Sequence, residues 1–167
     1  AMDQTSDFER VLSVLADDLK TVGLSFDTCG IDVLDDPVDE PTMTYFEAQG
    51  FCYTTYTIDP GGNVTRESYT GSAPFPNVLR GAVERFAAGQ VWQGRDMDLG
   101  AMVEVPASSY GRLRITSSER QDFTEEDIDS LQDFASAIAL GYARYLDIRE
   151  IQEQTKRKSA FLADMSH

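Results

Sequence analysis

The stretch that most restricts what this chain can fold into is its end. From Asp147 onward, DIREIQEQTKRKSAFLADMSH contains neither glycine nor proline, so nothing there breaks a helix begun upstream. That helix has a clear start. With Thr124 as N-cap, Phe123 and Ile128 occupy the two positions of a hydrophobic staple. Glu125, Glu126 and Asp127 place negative charge where the helix dipole favours it. Ile128, Leu131, Phe134, Ala135, Ile138, Tyr142 and Tyr145 follow as an apolar stripe at spacings of three and four. An unbroken helix from Thr124 to His167 is on the order of 65 Å long, more than one small domain can cover. Past Tyr145 the stripe changes phase. Ile148, Ile151, Thr155, Lys158, Leu162 and Met165 form a heptad-like seam, weakened by the threonine and the lysine. The natural partner of such a seam is the same helix of a second chain, so a parallel homodimer is expected.

Upstream, Ser6-Asp7-Phe8-Glu9 reads as a capping box that opens a first helix. Phe8, Val11, Leu12, Leu15 and Leu19 form its apolar face, and Gly23 ends it. A first strand is expected over Phe26 to Val33, closed by the turn-forming LDDPVDEP. MTYFEAQGFCYTTYTI is rich in aromatic and β-favouring residues and reads as extended, with Gly50 as a bulge or bend. Asp59-Pro60-Gly61-Gly62-Asn63 is a tight reversal from which VTRESYT pairs back as a hairpin. A second helix is expected from about Asn77 to Ala88, with Leu79, Ala82, Val83 and Phe86 on one stripe. Val91-Trp92-Gln93 opens an extended piece, and AMVEVP and YGRLRIT are two further strands. In the last, Leu113 and Ile115 face one way and Arg112, Arg114 and Thr116 the other, the pattern of a sheet wet on one side.

Composition narrows the function. The chain has 167 residues, 41% of them apolar, enough for one domain with a real core. Its formal charge is -15, from 29 acidic and 14 basic residues. Phosphate neutralisation needs lysine and arginine, so neither nucleic acid nor an anionic membrane surface is an expected partner. Such an acidic surface fits a high-salt cytoplasm, where self-repulsion is screened. No run of about 18 apolar residues is present to span a bilayer, and AMDQTSDF lacks the features of a signal peptide. The leading Ala-Met pair reads as a cloning remnant. Cys29 and Cys52 make no disulfide framework, which points to a reduced, cytoplasmic setting.

The order of helix, strands, hairpin, helix, two strands and long helix resembles a GAF domain. The stretch VEVPASSYGRLRITSSERQDFTEEDIDSLQDFASAIAL is similar to the family signature in which a Pro-ended strand, a Gly-led strand and an F-[ST]-x-E-D helix start follow one another. RGAVERFAAGQVWQGRDMD resembles the helix-to-strand passage of GAF domains in bacterial and archaeal sensor proteins. The resemblance implies an α+β, PAS-like fold with an antiparallel sheet flanked by helices. It divides the chain into a tail over 1–5, a sensor domain over 6–146, and a linker over 147–167 that runs into a dimerisation helix.

KSAFLADMSH is similar to the opening of the histidine-kinase phosphoacceptor helix, K-[ST]-x-F-[LI]-A-x-[MV]-S-H. The resemblance implies that His167 is the phosphoacceptor of a sensor histidine kinase, a protein kinase that uses ATP and magnesium in a further domain. It also implies phosphotransfer to a response-regulator receiver. The longer chain could be membrane-attached through other segments. The chemistry suits an imidazole: with a pKa of about 6.5 it is largely an uncharged nucleophile at neutral pH. The family's neighbouring carboxylate orients the ring for in-line attack on the γ-phosphate. This segment holds neither that neighbour nor an ATP-binding domain, so by itself it is expected to be inert.

GAF domains carry ligands beside the sheet, and here the usual ones meet obstacles. The cyclic-nucleotide signature needs a mid-domain lysine, and none lies between Lys20 and Lys156. Bilin attachment typically places histidine right after cysteine, whereas Cys29 precedes Gly30 and Cys52 precedes Tyr53. Haem ligation by histidine has no histidine within the domain to use, and two cysteines are too few for zinc or an iron–sulfur cluster. No metal or resident cofactor is expected in this segment. An unassigned small molecule is one reading, in a pocket lined by Tyr45, Tyr53, Tyr56, Trp92 and Met102 with Arg95 or Arg112 as anion partner. The other is that these aromatics fill the core and the domain is a ligand-free dimerisation scaffold. A third, remote reading follows from free-methionine-sulfoxide reductases, which share the GAF fold but use clustered, activated cysteines.

Overall fold

A computed structural model describes residues 4–120 and 122–166. Six antiparallel strands form one sheet: β1 (Thr28–Leu34), β2 (Phe51–Ile58), β3 (Val64–Gly71), β4 (Trp92–Asp96), β5 (Gly100–Pro106) and β6 (Gly111–Ser117), in the order β3-β2-β1-β6-β5-β4. The helices α1 (Gln4–Thr21) and α4 (Glu125–Met165) share one face, and α2 (Met43–Gln49) and α3 (Asn77–Ala88) cover the other. The fold is therefore α+β, with an antiparallel sheet between two helical layers and a long final helix.

Strand alternation explains both layers. Cys29, Ile31 and Val33 of β1, Ala101, Val103 and Val105 of β5, and Leu113 and Ile115 of β6 meet Leu12, Leu15 and Leu19 of α1 and Leu131 and Ala135 of α4. Burying one such leucine contributes roughly 1.5–3 kcal/mol. Behind the sheet, Phe46 of α2 and Ala82, Val83 and Phe86 of α3 enclose Leu34, Phe51 and Phe75. This second layer corrects the expectation of a wet face. Arg112 and Thr116 are buried and Arg114 is largely so, because α2 and α3 roof over them.

Three element bounds also differ from expectation. The α1 helix starts at Gln4, so Ser6 lies within it rather than capping it; no breaker separates the first described residues from the stripe. Gly23 ends α1 as expected, its N–H reaching the Lys20 carbonyl at 3.0 Å while Leu24 N–H reaches the Leu19 carbonyl. The first strand runs two residues later at its start than Phe26. The aromatic-rich segment is split. Met43–Gln49 is helical because the Thr42 hydroxyl accepts the Tyr45 N–H at 3.1 Å and Phe46 buries its ring on Phe51. Gly50, at φ 88, ends that helix rather than bulging a strand.

The final helix begins where its signals place it. Thr124 Oγ1 accepts the Asp127 N–H at 3.1 Å, and the Asp127 carboxylate accepts the Thr124 N–H at 3.0 Å, a reciprocal cap. It then runs 41 residues without interruption, about 60 Å at 1.5 Å per residue. Only its first part is covered. Every residue from 147 to 166 is exposed.

Candidate functional site

Two regions hold the features from which a function can be built: a charged cluster on the α3 face of the sheet, and the outer surface made by α1 and α4. The first begins with two carboxylates inside apolar strands. Asp32 interrupts β1 and Glu104 interrupts β5, and both point to the layer under α3. Glu104 is 1% exposed. Its Oε1 meets Arg112 Nε at 2.7 Å and its Oε2 meets Arg85 Nε at 2.9 Å. The Arg85 contact is an ion pair poorly aligned for a hydrogen bond, which leaves its two atoms without a well-directed partner. Arg85 also lies over the Trp92 ring, 4.8 Å from its centre.

Asp32 takes the neighbouring arginine. Arg114 Nη1 donates to Asp32 at 2.7 Å, and Nη2 donates to Thr57 at 2.9 Å and Thr55 at 3.3 Å. Burial alone pulls the Arg114 guanidinium down, but Asp32 more than offsets it and holds the group charged. Gly30 makes room: a Cβ there would collide with that guanidinium and with the Tyr56 carbonyl. Beside the pair, Tyr53 stacks on Tyr69 at 5.3 Å, and burial, followed by the Asp32 charge, pushes its phenol up to about 12.

The seven residues expected to line a pocket do not converge on one cavity. Tyr53, Trp92, Met102 and Arg112 share the α3 face. Tyr56 is three residues along β2 from Tyr53, faces the other way, and stacks on Phe8 at 4.8 Å inside the α1–α4 core. Tyr45 sits on α2 above a separate hollow that includes Cys52. Arg95 is exposed on the face of Ala101 and donates to the Arg120 carbonyl at 3.4 Å. Asp32, Glu104, Arg85 and Arg114 were not among the expected residues. The signal for the first two was a charge set in an otherwise apolar strand.

Neither thiol is activated. Burial pushes Cys29 up to about 12. Burial and then a 2.6 Å hydrogen bond to Asp35 raise Cys52. Both effects oppose the thiolate that a reductase requires. Among the described residues no group of three or more His, Cys, Asp or Glu could hold a metal ion, and no helix is long and apolar enough to cross a membrane. His167 lies outside the described residues.

The second region is an open apolar groove of about 550 Å³ between α1 and α4, with Val11, Val14, Leu15, Ile138, Tyr142 and Tyr145 among its lining. Val14 is exposed, and one oxygen of the Asp7 carboxylate at the groove is buried with no hydrogen-bond partner among the described residues. Further along α4 the apolar surface continues through Ile148, Ile151, Leu162 and Met165, all more than half exposed; Ile151 is 62% exposed. Comparison of the chain with protein families, curated proteins and solved structures finds no match.

Proposed function

We propose that the chain is the sensing and transmission segment of a sensor histidine kinase: a GAF-like domain that pairs with a second copy through α1 and α4 and positions His167 for phosphorylation. The kinase part of this reading rests on the likeness of KSAFLADMSH to the phosphoacceptor helix, and the observation that carries the pairing is α4. One end is anchored by a reciprocal cap and by Leu131 and Ala135 in the core, and its far half is an exposed rod with an apolar seam. Water is a poor solvent for that seam, and a second copy of the same rod would cover it. The apolar groove beside α1 continues the same surface. The weak positions Thr155 and Lys158 favour two pairings close in free energy, as a switch between active and inactive kinase needs.

The reading requires a longer protein with an ATP-binding domain, and there it has a direct test. Incubation with ATP is expected to place acid-labile phosphate on the protein, and His167→Gln to abolish the label. One residue inserted beside Gln154 turns His167 by about 100° about the helix axis and is expected to change the labelling rate severalfold. Label retained in His167→Gln, or a rate indifferent to the insertion, overturns the proposal. A ligand-free scaffold is the second reading. It is favoured by one observation: between the sheet and α2–α3, the centre of the layer is filled by Phe46, Phe51 and Phe86 packed ring against ring.

A further inference from the structure

The geometry points to a binding groove for a small organic monocarboxylate at the edge of the α3 face, beside the filled aromatic cluster and sharing Phe86 with it. The groove has a volume of about 430 Å³, within the range of about 300–1,000 Å³ usual for small-molecule sites. It lies between the turn that follows α3 at Gly89, the β5–β6 turn at Ser108 and Ser109, and Pro41. Arg112 reaches it from the sheet.

Arg112 is 1% exposed, and two of its nitrogens are committed: Nε to Glu104 at 2.7 Å and Nη2 to the Gln90 carbonyl at 2.7 Å. Its Nη1 has no acceptor among the described residues, and neither hydroxyl of Ser108 and Ser109 has a hydrogen-bond partner among them. Nη1 is not among the buried side-chain atoms that lack a partner, so it is the one part of this otherwise buried guanidinium left open to the groove. No carboxylate lines the groove, although the chain as a whole carries a charge of -15.

Charge counting selects the ligand. Asp32 neutralises Arg114, but Glu104 alone serves both Arg85 and Arg112, so one positive charge is left over beside the groove. One free nitrogen and one unbalanced charge suit a singly charged headgroup. A doubly charged phosphate would bring a second negative charge with nothing to meet it. Phe86, Ala87, Pro106 and Pro41 give the rest of the groove an apolar wall, so the body of the ligand is short and aliphatic or aromatic. The groove supplies the sensing reading with a ligand class, and its biological role rests on that reading.

The test is titration of the purified chain with sodium benzoate, followed by amide NMR at Ser109 and Gly111. Benzamide serves as the uncharged isostere and inorganic phosphate, in mildly alkaline buffer where the dianion dominates, as the doubly charged competitor. Saturable benzoate shifts are expected, with benzamide and phosphate each about tenfold weaker or more. Arg112→Gln disturbs a buried ion pair and risks the fold, so the informative variant is Ser109→Glu. It places a negative charge in the groove, leaves Glu104 and Arg112 paired, and is expected to weaken benzoate about tenfold or more. Four results would each overturn the assignment: no saturable shift with benzoate, benzamide binding as well as benzoate, phosphate binding more tightly, or Ser109→Glu binding benzoate unchanged. Binding is read here without kinase activity, so loss of this site and loss of the His167 chemistry are separately visible.

Discussion

Glu104 meets two arginines with a single carboxylate, deep in the layer between sheet and α3, and its worth lies in what its removal would leave behind. Glu104→Gln strands two guanidinium groups, one of them buried but for the nitrogen at the groove, and is expected to lower stability by roughly 3–5 kcal/mol, the usual cost of breaking a buried pair. Urea unfolding followed by circular dichroism measures this, and a loss below about 1 kcal/mol, the range of exposed pairs, would contradict it. The residues of this cluster were half legible. Period-two alternation put Arg112 and Arg114 on one side of β6, which is where they are. It could not say that the side was dry, because that depends on α2 and α3 arriving from distant parts of the chain. The proposed pocket failed to converge for a related reason. Tyr45, Tyr56 and Arg95 carry the right chemistry, but face and register separate them, and neither follows from residue type.

At the scale of elements, local signals were reliable wherever capping and burial agreed. The α3 helix has the bounds its apolar stripe predicts, and Gly89 ends it in the left-handed conformation at φ 63. The α2 helix is masked in the sequence by the β-favouring FCYTTYTI that follows it directly; MTYFEAQ itself contains the helix formers Met43, Glu47, Ala48 and Gln49, and the Thr42 cap and the buried Phe46 fix it as a helix. Thr124 and its staple mark the start of α4 in the sequence, and the structure adds the return bond from the Thr124 N–H to the Asp127 carboxylate. That carboxyl is pushed up by burial, but the Thr124 N–H and the Arg120 guanidinium, at 2.7 Å, more than offset this and hold it below the usual carboxylate range. A depressed folded pKa stabilises above the unfolded value, about 3.9 for aspartate, and the benefit is lost as pH falls through the folded value. Asp127→Asn is therefore expected to cost about 0.3–1 kcal/mol at neutral pH, the worth of a solvent-screened carboxylate in the first turn of a helix. The gap between wild type and variant should close in acid below both values. Unfolding curves at neutral and strongly acid pH give that gap, and one independent of pH would contradict the assignment.

For the whole molecule, the rod was the most legible feature, since a long segment free of glycine and proline leaves a capped helix no place to stop. Pairing of two rods works against charge, because each copy carries -15. Sedimentation is expected to show a dimer that tightens as salt is added, by screening the repulsion. Ile151→Glu is expected to shift the population to monomer without changing the domain's circular dichroism. A wild-type chain that stays monomeric at high salt would contradict the pairing. The anchoring of α4 at one end only has a mechanical consequence. Leu131 acts as a pivot and Met165 rides on the long arm, so a tilt of about 5° at the sheet displaces the tip by about 4 Å, given 1.5 Å of rise per residue. A repacking too slight to notice among the strands thus becomes, at the remote end, a shift larger than the length of a hydrogen bond.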